Sequence, residues 1–138
     1  MTPSPQDGPV LGLQDSQVSH IVSDGGDLRL FLSAAHVRCP VGWFKEATGE
    51  SEGYLAPVAV IFRQARWQGE LAWAMGRLAE SELRVGEQRL PGLPLPFKCE
   101  TPVQVRLALA NGAVLEIEAE ALECPLSGDE TFTASLAC

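Results

Sequence analysis

Hydrophobic and polar residues alternate most regularly over residues 102–121, which read PVQVRLALANGAVLEIEAEA. A period of two is the pattern of a half-buried β-strand. The central Asn111-Gly112 is typical of a two-residue hairpin turn, but that turn would place Leu107 opposite Glu116 on a shared face. A three-residue turn places Leu107 opposite Leu115 instead, with Gly112 in the left-handed position of a G1 bulge. We therefore predict a bulged hairpin with one apolar face.

The polar face of this hairpin carries an acidic row. Glu116, Glu118 and Glu120 alternate with the apolar residues of the second strand, and Arg106 is predicted to lie opposite Glu116. Such a row is either a solvated face that keeps a sheet from aggregating or a docking strip for a basic ligand or protein. Both readings remain open from the residues alone.

Shorter segments of the same kind recur along the chain. A first hairpin is predicted from two alternating segments joined by a turn at residues 24–27, with its second strand continuing to Cys39. The near-continuous apolar segment Tyr54–Phe62 indicates a central strand buried on both faces. Leu93–Phe97 holds two prolines on one side, which favours an edge strand or an extended strap. A last strand is expected around Phe132, after a turn at residues 127–130.

Residues 65–90 allow two interpretations. ELAWAMGRLAE can form a helix with Leu71, Met75 and Leu78 on one face, or a strand in which Leu71, Trp73 and Met75 alternate. Glycines at positions 69, 76 and 86 look like turns between short β-segments, so we favour strands here, including Arg77–Ala79, Leu83–Val85 and Gln88–Leu90.

The fold class follows from the number and spacing of these segments. About eight or more short strands separated by Gly, Pro, Asn and Asp turns predict an all-β protein, an antiparallel β-sandwich or partly closed barrel with at most one short helix around residues 70–80. A chain of 138 residues fits one domain. We assign residues 1–16, rich in Pro, Gly, Ser and Gln, to a flexible tail and residues 17–138 to a single β domain.

Charge and composition limit the classes of partner that this protein is expected to bind. The net charge of −8 argues against nucleic acid, which needs a basic footprint, and favours a basic protein partner. No apolar run approaches the roughly 18 residues that span a bilayer, and the N-terminus lacks the features of a signal peptide, so we expect a soluble, cytoplasmic protein. The four cysteines match no metal-ligand spacing and are expected to be reduced.

The chain contains no recognised catalytic motif. His20 and His36 are its two histidines, and neither adjoins a Ser, Cys or carboxylate in a known arrangement. The segment Asp24–Asp27 supplies too few oxygen ligands for calcium. We therefore expect no cofactor, no metal and no enzymatic activity.

The aromatic residues divide into two groups. Trp43 and Phe44 lie in a long loop, residues 40–53, and an exposed Trp-Phe pair marks a protein or sugar contact. Trp67 and Trp73 are expected in the core. Arg63 and Arg66 flank Trp67 at strand spacing, with a structural role or an anion-binding role.

These observations predict a non-catalytic interaction module. Its contacts would come from the 40–53 loop, with Trp43 and Phe44, and from the acidic face of Glu116, Glu118 and Glu120. A first alternative is a small-ligand-binding β-barrel or sandwich with a pocket lined by Trp and Leu. A second is a small hydrolase-like enzyme that uses His20 or His36.

Overall fold

Fourteen strands and one 3₁₀ turn make up the computed structural model over the residues it describes, 9–39, 51–126 and 130–134. The 3₁₀ turn is Leu71–Trp73. The strands are β1 Val10–Leu11, β2 Gln17–Asp24, β3 Asp27–Cys39, β4 Ser51–Ala56, β5 Val58–Arg63, β6 Arg66–Gln68, β7 Gly76–Val85, β8 Gln88–Leu90, β9 Leu93–Pro94, β10 Phe97–Cys99, β11 Val103–Leu109, β12 Val114–Ala119, β13 Ala121–Cys124 and β14 Thr131–Ala134.

All strand pairs are antiparallel, and the strands form one large sheet. Its main path runs β10-β13-β5-β3-β2-β7-β11-β12-β6, and the remaining strands pair alongside β3, β4, β7 or each other. The path does not return to its first strand, so the sheet is not closed. The predicted all-β antiparallel fold is confirmed.

Two connections join the two end regions of this path, because the chain runs from β5 to β6 and from β12 to β13. At these connections the sheet bends over on itself. β5 pairs with β13, whereas β6, which follows after Gln64 and Ala65, pairs with β12. β12 likewise leads into β13 through Glu120, whose backbone N–H donates to the Arg63 carbonyl over 2.9 Å. Corners of this type are made by strands that pass from one part of a folded sheet to another. We call this place the corner.

The hairpin β11–β12 has the predicted register. Leu107 lies opposite Leu115 and Arg106 lies opposite Glu116. Gly112 has a φ of 94°, and its N–H donates to the Leu109 carbonyl over 3.0 Å, which closes the three-residue bulged turn. The inward residues of both strands are buried and belong to one hydrophobic core: Val103, Val105, Leu107, Leu109, Leu115, Ile117 and Ala119.

The first hairpin, β2–β3, is also confirmed. Its turn is Gly25-Gly26, with φ values of 59° and 91°, and Asp24 lies opposite Asp27. β3 continues to Cys39 as predicted, and the irregularities of this pair lie in β2, around Val18. The first half of β3 pairs with β5 and the second half with β4, so one long strand serves two parts of the sheet.

The prediction of a loose tail is wrong for residues 9–16. Val10 and Leu11 form β1, which lies between β3 and β9. Leu11 and Ser16 are fully buried, and the Ser16 Oγ accepts a hydrogen bond from the backbone N–H of His36 over 2.8 Å. Long-range pairing and core burial therefore order this part of the segment despite its composition. Residues 1–8 lie outside the described residues.

Three further differences concern strand limits. Pro57 divides the predicted strand Tyr54–Phe62 into β4 and β5, and β5 alternates between buried and half-buried residues rather than being buried on both faces. The segments expected at Arg77–Ala79 and Leu83–Val85 form one strand, β7. The predicted strand through Leu71, Trp73 and Met75 is wrong, because a 3₁₀ turn occupies this place. Glycines 69, 76 and 86 all have positive φ, as expected for turn positions.

Leu93–Phe97 and the last strand were located correctly. β9 pairs with β1, and β10 lies at the end of the main path, so the proline-rich segment runs along an edge. β14 pairs with β4. Of the turn predicted at residues 127–130, residues 127–129 lie outside the described residues.

Candidate functional site

The acidic row of β12 faces outward but is not a uniformly acidic strip. Glu116 and Glu118 are exposed and lie opposite Arg106 and Gln104 of β11. On its other side β12 pairs with β6, which brings Arg66 opposite Glu118. A basic residue therefore lies across from each of these two carboxylates.

β7 extends the same outer face by one more strand. Glu82 lies opposite Arg106, and Arg84 lies opposite Gln104. Charges of both signs therefore alternate across β7, β11, β12 and β6, and this pattern resembles a solvated sheet face more than a strip for one basic ligand. Two ion pairs on it, Arg106–Glu116 at 3.7 Å and Arg84–Glu82 at 3.4 Å, are exposed and contribute little to stability.

Glu120 stands apart from the other two members of the row. It follows the last residue of β12, at the corner, and its side chain is exposed. Among the described residues, Glu118 and Glu120 have no ion pair, whereas Glu116 is paired with Arg106.

The largest exposed aromatic side chain of the described residues is Trp73, which we expected in the core. Its exposed fraction is 66%, and Met75 and Val114 are exposed by 51% and 43%. The 3₁₀ turn carries Trp73 outward, while the neighbouring Ala74 is buried and fixes the turn to the core. The three exposed side chains and Glu70 are called the Trp73 surface below.

The segment that carries Trp73 is held by a dense set of hydrogen bonds. The Asn111 side-chain amide donates to the Trp73 carbonyl over 2.9 Å, and its oxygen accepts from the Ala113 N–H over 2.9 Å. The Met75 N–H donates to the Trp73 carbonyl over 2.9 Å, which gives Ala74 the geometry of an inverse γ-turn with φ −84° and ψ 71°. The hairpin turn thus fixes the backbone beneath an exposed tryptophan.

A hollow of about 460 Å³ lies beside the tryptophan ring. It is lined by Glu70, Trp73, Asn111, Ala113 and Val114. Trp73, Ala113 and Val114 contribute apolar side chains to its lining, and Glu70 contributes a carboxylate that has no ion pair among the described residues. This combination suits a long side chain with an apolar stem and a positive head.

Trp43 and Phe44 lie outside the described residues, as do all residues from 40 to 50. Residues 51–53 are not loop but the beginning of β4.

The two histidines have different surroundings, and neither is assembled into a triad in the described part of the chain. His20 is exposed, stacks on Phe31 and shares a hydrogen bond of 2.9 Å between Nδ1 and the Ser19 hydroxyl. His36 is half-buried, with its Nε2 3.6 Å from a Glu52 carboxylate oxygen and its ring edge against Tyr54. A hydroxyl therefore accompanies one histidine and a carboxylate the other, whereas triad catalysis needs both at one imidazole.

Arg63 has a structural position at the corner. Its guanidinium donates to Asp27 over 2.8 Å and to Glu123 over 3.4 Å. Asp27 also accepts the Gln64 backbone N–H, and this bond together with the arginine lowers the pKa of the Asp27 carboxyl. The same two carboxylates raise the pKa of Arg63. This network joins three parts of the chain where the sheet bends, so an anion-binding role for Arg63 is not needed to explain it.

The remaining sequence-based expectations concern pockets, metals and membranes. Trp67 packs partly buried against the core and lies on none of the five described clefts, so it does not share a pocket with Trp73. Within the described residues no group of three or more His, Cys, Asp or Glu side chains could hold a metal ion. The same part of the chain has no helix of the length and apolar character needed to cross a membrane.

Cys124 is a buried, free thiol, and Cys99 is half-buried and free. Burial, and secondarily the charge of Glu130, raises the pKa of Cys124 to about 12. The thiol of Cys124 therefore stays protonated and acts as a small core residue.

No protein-family model, no curated protein and no solved structure matches this chain.

Proposed function

We propose that this protein is a non-catalytic interaction module that binds a basic protein partner through the Trp73 surface. The observation that carries the proposal is the exposed Trp73, held by Asn111 in a fixed backbone conformation beside the carboxylate of Glu70. Trp is the residue type most often found at the energetic centre of protein interfaces.

Trp73 offers a large exposed apolar area that a partner could cover. A tryptophan side chain buries about 200 Å² when fully covered, so covering the exposed two-thirds of Trp73 would contribute about 3 kcal/mol at 25 cal/mol per Å². Because the turn is already fixed by hydrogen bonds, a partner does not have to order it, and less of that free energy is lost on binding.

Charge complementarity indicates the chemistry of the partner. Glu70 lines the hollow beside Trp73, and Glu80 lies in the same cross-strand row as Ala108 and Val114. Neither carboxylate has an ion pair among the described residues. A lysine or arginine of the partner can place its stem against Trp73 and its charge near Glu70, which combines cation–π and ion-pair contacts. The net charge of −8 would also accelerate association with a basic protein.

We also propose a cytoplasmic location and no nucleic-acid partner. The free thiols of Cys99 and Cys124 support a reducing compartment, and the negative net charge opposes binding to phosphates. Subcellular fractionation tests the location, and a band-shift assay with double-stranded DNA and RNA at low salt tests the second statement.

The test begins with a covalent capture at the surface itself. A photo-crosslinking amino acid at Ala72, which is exposed and adjoins Trp73, would mark proteins that contact this surface in the source cell. The captured protein is then purified, and its Kd is measured for the unmodified chain and for three variants: Trp73→Ala, Glu70→Gln and Val22→Ala. Val22 is exposed by 41% but belongs to β2, so it serves as the matched apolar control.

We expect Trp73→Ala to weaken binding at least 30-fold and Glu70→Gln three- to tenfold, while Val22→Ala changes it less than twofold. Equal affinity for the chain and Trp73→Ala, or capture of no protein that depends on Trp73, would overturn the proposal. Thermal denaturation of each variant ensures that a loss of affinity is not a loss of folding.

A fourth variant tests whether the fixed backbone beneath the Trp73 ring contributes to binding. Asn111→Ala keeps Trp73 but removes the hydrogen bonds to the carbonyls of residues 73 and 75. We expect it to weaken binding about three- to tenfold through a slower association rate, because the turn must then be ordered during binding. An unchanged association rate would show that the fixed turn has no part in recognition.

A further inference from the structure

A second, polar cleft lies at the corner, away from the Trp73 surface. Its volume is about 600 Å³, within the range of small-molecule sites. We call it the corner cleft, and its lining residues with charged or amide side chains are Gln64, Arg66, Gln104, Glu118 and Glu120. β12 separates it from the Trp73 surface, since Val114 begins that strand and Glu120 follows its end.

The charged groups of this cleft form no ion pairs with described residues. Arg66 lies directly opposite Glu118 in the β6–β12 ladder, yet no oxygen of Glu118 comes within 4.0 Å of its guanidinium, and within the described residues neither side chain has an ion pair. On the other side of β12, in the β11–β12 ladder, Arg106 and Glu116 do pair at 3.7 Å. Glu120 likewise has no ion pair in the described part of the chain. Counting partners only among the residues that the structure describes, the cleft thus offers one unpaired cation, Arg66, and two unpaired carboxylates.

Apolar residues form the base of the cleft between these charges. Val103 and Ala119 are exposed by 1% and 6%, and Ala65 by 9%. Being fixed in the core, they give the cleft a defined floor. Glu118 and Glu120 are two positions apart along the chain, so their backbone positions differ by about 7 Å, which matches the reach of an extended lysine or arginine side chain.

We propose that the corner cleft binds a free basic α-amino acid. The α-carboxylate pairs with Arg66, the α-ammonium and the side-chain cation pair with Glu118 and Glu120, and the aliphatic stem lies on Val103 and Ala119. The ligand carries two positive charges and one negative, which complements the one positive and two negative charges of the cleft. This site does not depend on the Trp73 surface or on its partner.

The test uses L-arginine as the probe and two analogues that each lack one charge. Citrulline has nearly the same shape with a neutral side chain, and agmatine lacks the carboxylate. In ¹⁵N-labelled full-length protein, we expect L-arginine to shift the amide resonances of residues 64–66, 104 and 118–120 in a saturable manner. Citrulline and agmatine should each bind at least fivefold more weakly.

Variants then assign each ligand charge to its partner. Arg66→Gln should abolish the preference for L-arginine over agmatine, and Glu118→Gln should weaken L-arginine at least fivefold. Glu80→Gln removes the same charge from an exposed position outside the cleft and should change the affinity less than twofold.

Three results would overturn the proposal: shifts that do not saturate or that spread over all acidic surfaces, equal affinity for L-arginine and citrulline, or equal weakening by Glu80→Gln and Glu118→Gln. None of these outcomes concerns the Trp73 surface, so a failure here is separate from a failure of the proposed function.

Discussion

Replacement of Gly69 by alanine tests how closely the turn before the Trp73 surface packs on the hairpin. Gly69 has a φ of +120°, and an added Cβ would lie 2.5 Å from the Val114 carbonyl oxygen and 2.9 Å from a methyl of Leu115. Both atoms belong to β12, and the carbonyl oxygen is backbone, so a simple side-chain rotation cannot remove the overlap. Gly112 offers a matched control, because its φ is +94° but its Cβ would meet nothing within 4 Å.

The two variants share one energetic cost and differ in another. A residue with a side chain in the left-handed region costs about 1–2 kcal/mol, which applies to both positions. Forcing apart packed groups costs a further 1–3 kcal/mol or so, which applies only at Gly69. We therefore expect a loss of about 2–5 kcal/mol for Gly69→Ala and about 1–2 kcal/mol for Gly112→Ala.

Thermal and urea denaturation followed by circular dichroism measure this difference. For a chain of this size 1 kcal/mol corresponds to about 3–5 °C in Tm, so Gly69→Ala should lower Tm by roughly 6–25 °C and Gly112→Ala by roughly 3–10 °C. Equal losses of stability at the two positions would show that Gly69 does not approach β12 closely in solution. The placement of the turn that carries Trp73 would then also be wrong.

Three further predictions concern the corner and the core. Asp27→Asn should destabilise the protein at neutral pH. The difference in free energy of unfolding between the two proteins should disappear as the pH falls below about 4, because the native pKa of Asp27 lies below 3.8 and its stabilising charge is lost there. A difference that is independent of pH in urea denaturation would contradict the role of the Arg63 pair. Cys124 should resist alkylation in the folded protein while Cys99 reacts, because Cys124 is buried and its pKa is about 12. Peptide mass spectrometry after brief iodoacetamide treatment, with and without urea, measures the alkylated fraction of each cysteine. Leu107→Ala should cost about 2–5 kcal/mol in urea denaturation, because Leu107 is fully buried, and a loss below 1 kcal/mol would show that its core position is wrong.

Side-chain pairing was the part of the fold that the sequence determined best. In the hairpin, only one turn length kept Glu116 away from Leu107, and the structure has that register. The argument succeeds because a slip of one residue would move a whole strand face from core to solvent. The division of β4 from β5 at Pro57 follows a weaker local rule and was missed.

The N-terminal segment shows a different limit. Its Pro, Gly and Gln content is typical of a loose tail, yet β1 lies between β3 and β9 and Leu11 is fully buried. Composition describes how much apolar surface a segment brings, but not whether distant strands leave a gap that it can fill. The local signal for this strand was three apolar residues in a polar context, Val10, Leu11 and Leu13.

The candidate site was harder to predict, because both of its decisive features depend on neighbours distant in sequence. Glu118 looked like part of an acidic strip, but Arg66 reaches the same row from another strand, some fifty positions earlier in the chain. Trp73 looked like a core residue because Leu71, Trp73 and Met75 alternate as they would in a strand, but Leu71 packs against the core while Trp73 and Met75 are exposed. The Asn111 side chain, which donates to the carbonyls of residues 73 and 75, reaches this turn from a hairpin turn almost forty positions later in the chain.

In this fold, a binding residue can change with less effect on stability in the turn of Trp73 than on the acidic face of the sheet. On the sheet face each charge has a cross-strand neighbour, so changing one residue, such as Glu116, also affects a pair within the protein. In the turn, Asn111 secures the backbone of Trp73 and leaves its side chain free, so the exposed ring can change without disturbing the core beneath it. A rigid sheet with a fixed turn at its end therefore separates folding from recognition, and Trp73→Ala should reduce binding without the loss of stability expected for Leu107→Ala.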